Sequence, residues 1–202
     1  MITRTDIDID FADRDKALEG LSFVSASMVR ENGELSRHTS GVYFQDIPVN
    51  PLTGLAAFTY EDAEDKGYFK IDFLNQSVYS DISNEAHLDR LINTEPMWEL
   101  LLERGLVEQL TQIKHHYETI RVIKPKSIED LAVVLALIRP GKRHLLYQNR
   151  AIIDKEIWKP ESNGYQFKRS HAISYAVLIL VQMNLILEKM STELNSEPII
   201  SF

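Results

Sequence analysis

The chain has no cysteine among its 202 residues, which removes disulfides, thiolate metal sites and cysteine nucleophiles together and is compatible with a reducing compartment. It also lacks a long apolar run. The longest, Ala172 to Leu187, is interrupted by Ser174, Gln182 and Asn184 and falls short of the roughly 20 residues that span a bilayer. A buried helix is expected there, and no membrane partner. The N-terminal Met-Ile-Thr-Arg-Thr-Asp has no apolar core of the kind a secretory signal requires, which points away from export and toward the cytoplasm. No linker rich in Gly, Ser or Pro and no internal repeat interrupts the chain. What is present is an ordinary globular composition, 44% hydrophobic and 26% charged, enough for one sizeable core or two small lobes.

Positive charge is scarce overall, with a net charge of −8, and this argues against a nucleic-acid binder, whose phosphate contacts draw on a surplus of Lys and Arg. The distribution is uneven. Residues 1 to 120 carry 10 Lys and Arg against 22 Asp and Glu, whereas residues 121 to 170 carry 11 against 5. An acidic half holding divalent metal and a basic half holding phosphates would give this split. A basic solvated face would also give it.

Asp6-Ile-Asp-Ile-Asp-Phe11 alternates acid with apolar, the period of a half-buried strand with Ile7, Ile9 and Phe11 in the core. Asp13 is an acceptable N-cap for a helix whose apolar face is Ala17, Leu18, Leu21 and Val24. Asn32 and Gly33 mark a turn. Gly41 to Gln45, Leu55 to Tyr60 and Tyr68 to Leu74 read as strands, separated by turn residues and by the acidic stretch Glu61 to Gly67. From about Ser83 the signals become helical: Asn84 to Asn93, Met97 to Tyr117, Ser127 to Arg139 with a capping pair Ser127 and Asp130 and a stop at Pro140-Gly141, and Ser170 to about Glu193. The fold class expected is α+β, a small mixed sheet in residues 1 to 83 and a helical lobe in residues 84 to 202.

Asp6, Asp8 and Asp10 project from one strand face about 6 to 7 Å apart, a row that repels itself and asks for a cation. A calcium loop of EF-hand type is excluded, because it needs Gly and Glu where this chain has Phe11 and Ala17. An edge strand decorated with acids against aggregation remains an alternative. Asp72 lies in a second strand, with Lys70 two residues earlier on the same face. Alone this suggests a surface ion pair. With Asp8 and Asp10 on an adjacent strand, it makes three carboxylates that can hold two Mg²⁺ ions roughly 4 Å apart. His115 and His116, adjacent in sequence, are expected at the surface. Lys168, Arg169 and His171 are expected at the entry of the last helix, where backbone N–H groups favour phosphate, and Arg139 as a helix C-terminal cation.

Five blocks in order resemble the palm and fingers of the bacterial DNA polymerase III alpha subunit, the family C replicative polymerases. Thr5-Asp-Ile-Asp-Ile-Asp-Phe11 is similar to the family's Pro-Asp-x-Asp-x-Asp-Phe strand, and Phe69-Lys-Ile-Asp-Phe-Leu74 to its Lys-Phe-Asp-Phe-Leu strand. Arg37-His-Thr-Ser-Gly41 resembles its Lys-His-Ala-Gly-Gly turn. Lys124-Pro-Lys-Ser-Ile-Glu-Asp-Leu131 running into Ala136-Leu-Ile-Arg-Pro-Gly141 resembles its fingers helix. Gly164-Tyr-Gln-Phe-Lys-Arg-Ser-His171 resembles its Gly-Tyr-x-Phe-Asn-Lys-Ser-His segment. The resemblance implies a palm-like sheet and a fingers-like helical lobe. It also implies Asp8, Asp10 and Asp72 as ligands of two Mg²⁺ or Mn²⁺ ions and Lys70 near the nucleotide. Arg37, His38, Arg139, Lys168, Arg169 and His171 would contact nucleotide or DNA. Its function would be transfer of a dNTP onto the 3′ end of a DNA primer-template.

The family's Gly-Ser nucleotide-binding loop before the acid strand, its thumb and its other modules have no counterpart in these residues, and Lys142 stands where the family usually has a proline. Processive synthesis by this chain alone is therefore not expected; nucleotide transfer is expected either by the chain alone or with partner chains or other replication proteins supplying the missing parts. The alternative is a non-catalytic relic that binds DNA, nucleotide or a replication protein. Economy of size suggests a viral or mobile-element origin and, for a phage-encoded chain, a bacterial host cytoplasm.

Overall fold

The computed structural model describes residues 7–30, 32–161 and 167–196, with side chains to residue 193. The class is α+β, a four-stranded mixed sheet with helices. The chain divides into two compact units, Met1–Ile82 and Ser83–Phe202.

In the first unit the alternating acids form β1, Ile7–Phe11; Thr5 and Asp6 of the same block lie outside the described residues. Asp13 caps α1, Arg14–Leu18, its carboxylate accepting from the Lys16 amide. This helix is one turn long, not the longer one expected through Val24. Gly20 adopts φ 77° just after it, a left-handed turn that redirects the chain, and Val24 opens β2, Val24–Val29. The turn at Asn32 and Gly33 leads into β3, Leu35–Tyr43. The block Arg37 to Gly41, expected as a turn, lies within this strand as an irregularity, because the pairing jumps from Ser25 with Val42 to Ser27 with Arg37. The segment 55–60 is not a strand. It makes only two isolated bridges, Val49 with Ala56 and Ser27 with Thr59. Thr59 then caps α2, Tyr60–Asp65, placing Glu61 and Asp62 in its first turn, where carboxylates suit the helix dipole. After it comes β4, Ile71–Asn75.

The strand order is β1-β4-β3-β2. β1 runs parallel to β4, and β3 is antiparallel to both β4 and β2. Apolar clusters form on both faces: Leu18, Val42 and Phe73 in one, Ala26, Tyr43, Ile47, Ala56 and Ala63 in the other. Phe11 stacks on Phe73 at 4.8 Å. Ile9, expected in the core, is 37% exposed on β1, which lies at the edge of the sheet.

In the second unit Asn84 caps α3, Glu85–Asn93. The single helix expected over Met97 to Tyr117 is broken into a 3₁₀ turn at Trp98–Leu102, α4 at Arg104–Val107, and a run of turns before α5, Tyr117–Ile123. Leu101, Leu106, Val107, Leu110 and Ile113 are all buried. Their spacing imitates one amphipathic helix, but extended backbone at Glu103 interrupts the hydrogen-bond ladder. Lys124 in the left-handed region closes α5. Ser127 caps α6, Ile128–Leu137, by accepting from the Asp130 amide, while Asp130 reaches back to the Lys126 amide. Every residue from Leu131 to Leu137 is buried. Pro140–Leu145 is a 3₁₀ turn, and α7, Arg150–Glu156, is a helix that no apolar periodicity announced.

The last helix, α8, spans Arg169–Ser196 and packs along α6. The polar residues interrupting its apolar run are tied to backbone or to other side chains. Asn184 donates to the carbonyls of Leu91 and Thr94, Gln182 accepts from the Thr111 amide, and Ser174 donates to the Ser170 carbonyl. By length and apolarity the stretch Arg169–Glu193 could cross a membrane, but 56% of its apolar window is buried in the protein, and the core helix of a folded domain meets the same criterion.

A candidate carboxylate site on the parallel strand pair

The parallel register sets Asp8 directly beside Asp72, and Asp10 beside Leu74. Partners in register point to the same side, so Asp8, Asp10 and Asp72 share one face although they come from strands far apart in sequence. Gly41 of β3 pairs with Asp72 from the other side.

Asp72 is 9% exposed, and a buried carboxylate must be hydrogen-bonded or paired. One oxygen accepts from the Ser40 hydroxyl at 2.7 Å; the other is ion-paired with the Lys70 ammonium. Lys70 also lies over the Tyr60 ring, 5.7 Å from its centre. Asp8 and Asp10 are exposed. The Tyr79 hydroxyl sits 3.4 Å from Asp10, and burial, with Asp10 second, pushes that phenol up to about 12. Burial also raises Tyr43 to about 12, followed by the charge of Asp72.

His38 organises the irregularity in β3. Its Nδ1 accepts from the amides of Ser40 at 3.3 Å and Gly41 at 2.9 Å. Burial, followed by the nearby Lys70 charge, lowers its pKa. Nδ1 also approaches Asp72 at 3.6 Å; a nitrogen receiving two amide N–H groups presents its lone pair, so this approach is not an ion pair. The imidazole holds the loop that aims Ser40 at Asp72.

A cavity of about 660 Å³ is lined by Asp13, Arg14, Asp15, Arg37, His38 and Asn75, among others. Arg37 is exposed there. Arg14 is buried, its Nη1 bound to Asp15 while Nε and Nη2 have no hydrogen-bond partner among the described residues. Ser40, Tyr60 and Arg14 were not anticipated from sequence. Ser40 has no mark of function on its own, and the residue pattern of Leu55 to Tyr60 suggests a strand, in which Tyr60 carries no sign of a site.

The remaining expected residues belong to the second unit. Arg139 precedes the 3₁₀ turn and lies over the Phe167 ring at 4.4 Å. His171 stands edge-on between Phe167 and Tyr175, at 5.6 and 4.6 Å. Lys168 and Arg169 are exposed at the start of α8; Gly164, Tyr165 and Gln166 of that block lie outside the described residues. His115 is exposed in a turn and His116 half-buried at the N-cap of α5, where burial, then Arg143, lowers the His116 pKa. Much of the basic surplus is committed locally. Arg150 pairs with Asp130 and Asp154, Arg121 with Glu118, and Lys142 donates to the carbonyls of Glu156 and Lys159.

Among the described residues, no three His, Asp or Glu side chains are gathered closely enough to hold a metal ion. No protein-family model matches the chain, and no curated protein is significantly similar to it.

Proposed function

We propose that this protein is a nucleotidyltransferase resembling the palm and fingers of DNA polymerase III alpha, which transfers a dNTP onto the 3′ end of a primer-template, alone or with partner chains supplying missing parts. The observation supporting this most directly is the register that sets Asp8 beside Asp72 with Asp10 on the same face. Carboxylate oxygens alone suit a hard cation such as Mg²⁺ or Mn²⁺, and the ammonium of Lys70 already stands against Asp72 as a positive charge, although among the described residues these side chains do not converge as a set of three. Two bound ions would align and neutralise the phosphoryl group being transferred. Asp8, Asp10 and Asp72 would hold them. Ser40 and the loop held by His38 orient the Asp72 carboxylate, which limits the rearrangement needed at the reacting centre. Arg37 beside the cavity, with Arg139, Lys168, Arg169 and His171 in the second unit, are the proposed contacts to nucleotide and DNA.

Primer extension with dNTPs and Mg²⁺ or Mn²⁺ tests this, with Asp8→Asn, Asp10→Asn as control. Extension by the wild type that the double variant lacks is expected. A second reading, a non-catalytic binder of DNA, nucleotide or a replication protein, is favoured by one observation: both Asp72 oxygens are already engaged within the fold. Binding of primer-template without extension, equal in wild type and double variant, would select it.

A further inference from the structure

We infer that the cavity between the start of α1 and β3 binds a phosphate group, held by the buried Arg14 and the exposed Arg37. The inference shares Arg37 with the function proposed above but none of the carboxylates on which that function rests, so each can fail alone. The cavity, of about 660 Å³, lies at the carboxyl ends of the parallel strand pair. Ala12 follows the last residue of β1, Asn75 is the last of β4, and Arg37, His38 and Thr39 come from β3. Open sheets with parallel strands bind ligands at such ends.

Arg14 is the residue that asks for a ligand. It is 9% exposed, and its backbone is fixed, the amide donating to Asn75 Oδ1 at 3.0 Å. Its ion pair is with Asp15 at 3.2 Å, a side chain 93% exposed. A carboxylate so fully in water holds a cation weakly, and this pair does not account for withdrawing a guanidinium from solvent. Nε and Nη2 are buried with no acceptor among the described residues. Buried donors of a charged group left unmatched are costly, and the cavity that Arg14 lines is where an acceptor can be supplied.

Most other groups on the cavity are donors as well. His38 Nδ1 receives the amides of Ser40 and Gly41, so the neutral imidazole carries its proton on Nε2 as a donor. Arg37 adds a second guanidinium, Thr39 a hydroxyl, and Asn75 an amide whose oxygen already serves Arg14. The two acids present are engaged, Asp13 by the Lys16 amide and Asp15 by Arg14. They offset the two arginines in charge, so recognition rests on directed hydrogen bonds rather than on a positive field. Donors drawn from α1, β3 and β4 suit a tetrahedral oxyanion better than a planar carboxylate, and the arginine fork matches phosphate oxygens. Two sources offer such a group, the polyphosphate of a free nucleotide and the backbone of DNA.

The test uses the full chain and inorganic pyrophosphate with chelator present, followed by isothermal titration calorimetry. The wild type should bind saturably with a Kd near or below about 1 mM. Arg14→Met keeps an apolar stem and removes the unmatched donors; it should bind at least about tenfold more weakly, while its β1 and β4 amides exchange no faster than wild type in phosphate-free buffer, which a purely structural arginine would not allow. Arg37→Ala, at an exposed position, should weaken binding several-fold and decides the matter if Arg14→Met fails to fold. Displacement of pyrophosphate by dTTP supports the site with a nucleotide as source, and displacement by primer-template but not dTTP supports it with the DNA backbone as source; displacement by neither overturns it. No saturable binding by the wild type would mean that water satisfies Arg14, and undiminished binding by Arg37→Ala and by any folded Arg14→Met that the anion sits elsewhere. Either result overturns the inference whatever primer extension shows, and a failure of primer extension alone leaves it standing.

Discussion

Replacing Asp8 with Asn probes the register on which the functional reading depends. Neighbouring strands lie about 4.8 Å apart, so two carboxylates in register stand about 5.5 Å apart. Two such charges repel by about 3 kcal/mol at an effective dielectric constant of 20 and about 0.7 kcal/mol in bulk water. Asp8 is exposed and Asp72 buried, which places the repulsion near 1 kcal/mol. In the wild type, Asp8→Asn relieves that repulsion but also loses attraction to Lys70, and the change in stability should stay within about 0.5 kcal/mol. In a Lys70→Met background the relief is uncompensated, and Asp8→Asn should stabilise by about 1 kcal/mol, a coupling that a double-mutant cycle isolates. Tryptophan fluorescence cannot follow this, since Trp98 and Trp158 both lie in the helical unit. Hydrogen exchange of the β4 amides can, read with chelator present, and about 1 kcal/mol is a five-fold gain in protection. Unchanged or reduced protection on adding Asp8→Asn to Lys70→Met would refute the side-by-side placement of these acids.

Lys142→Met should destabilise the helical unit by about 2 to 3 kcal/mol, because it removes a charged donor from two carbonyls in a site where Lys142 is 8% exposed; denaturant unfolding followed by tryptophan fluorescence checks this, and a loss below about 0.5 kcal/mol would show those carbonyls solvated. The sheet unit should weaken as pH falls below about 6.5. His38 has a lowered pKa in the fold, so the unfolded chain takes up its proton first, and stability is complete above the unfolded value and lost on the way down to the folded one. Protection of β3 and β4 amides at pH 7.5 and 5.5, corrected for intrinsic exchange, measures it; equal protection would mean that His38 is as easily protonated folded as unfolded.

Local signals in the sequence were reliable where a residue acts on its own neighbours. Asp13, Asn84 and Ser127 cap helices as their side-chain chemistry requires, and the alternation of acids and apolar residues before Ala12 does form a strand. They misled where spacing fitted two structures. Leu55 to Tyr60 has strand-forming residues, yet Thr59 starts a helix; Leu101 to Ile113 has helical spacing, yet the backbone breaks and only the burial survives. Lys142, counted in sequence among the basic surplus of residues 121 to 170, is a buried strut between two carbonyls.

For the candidate site, the order of residues along the chain already specifies which atoms are available: oxygen donors without thiols, acids on one strand face, a lysine two residues from an aspartate. These follow from composition and from the two-residue period of a strand, both local properties. Long-range packing, which is not legible in the sequence, pairs β1 with β4 in the register joining Asp8 to Asp72 and brings Ser40 and Lys70 to the Asp72 oxygens. A one-residue slip would send every side chain of a strand to the other face. Which register wins depends on packing such as that of Phe11 on Phe73 and Leu18 against the sheet, contacts between segments that no local spacing relates.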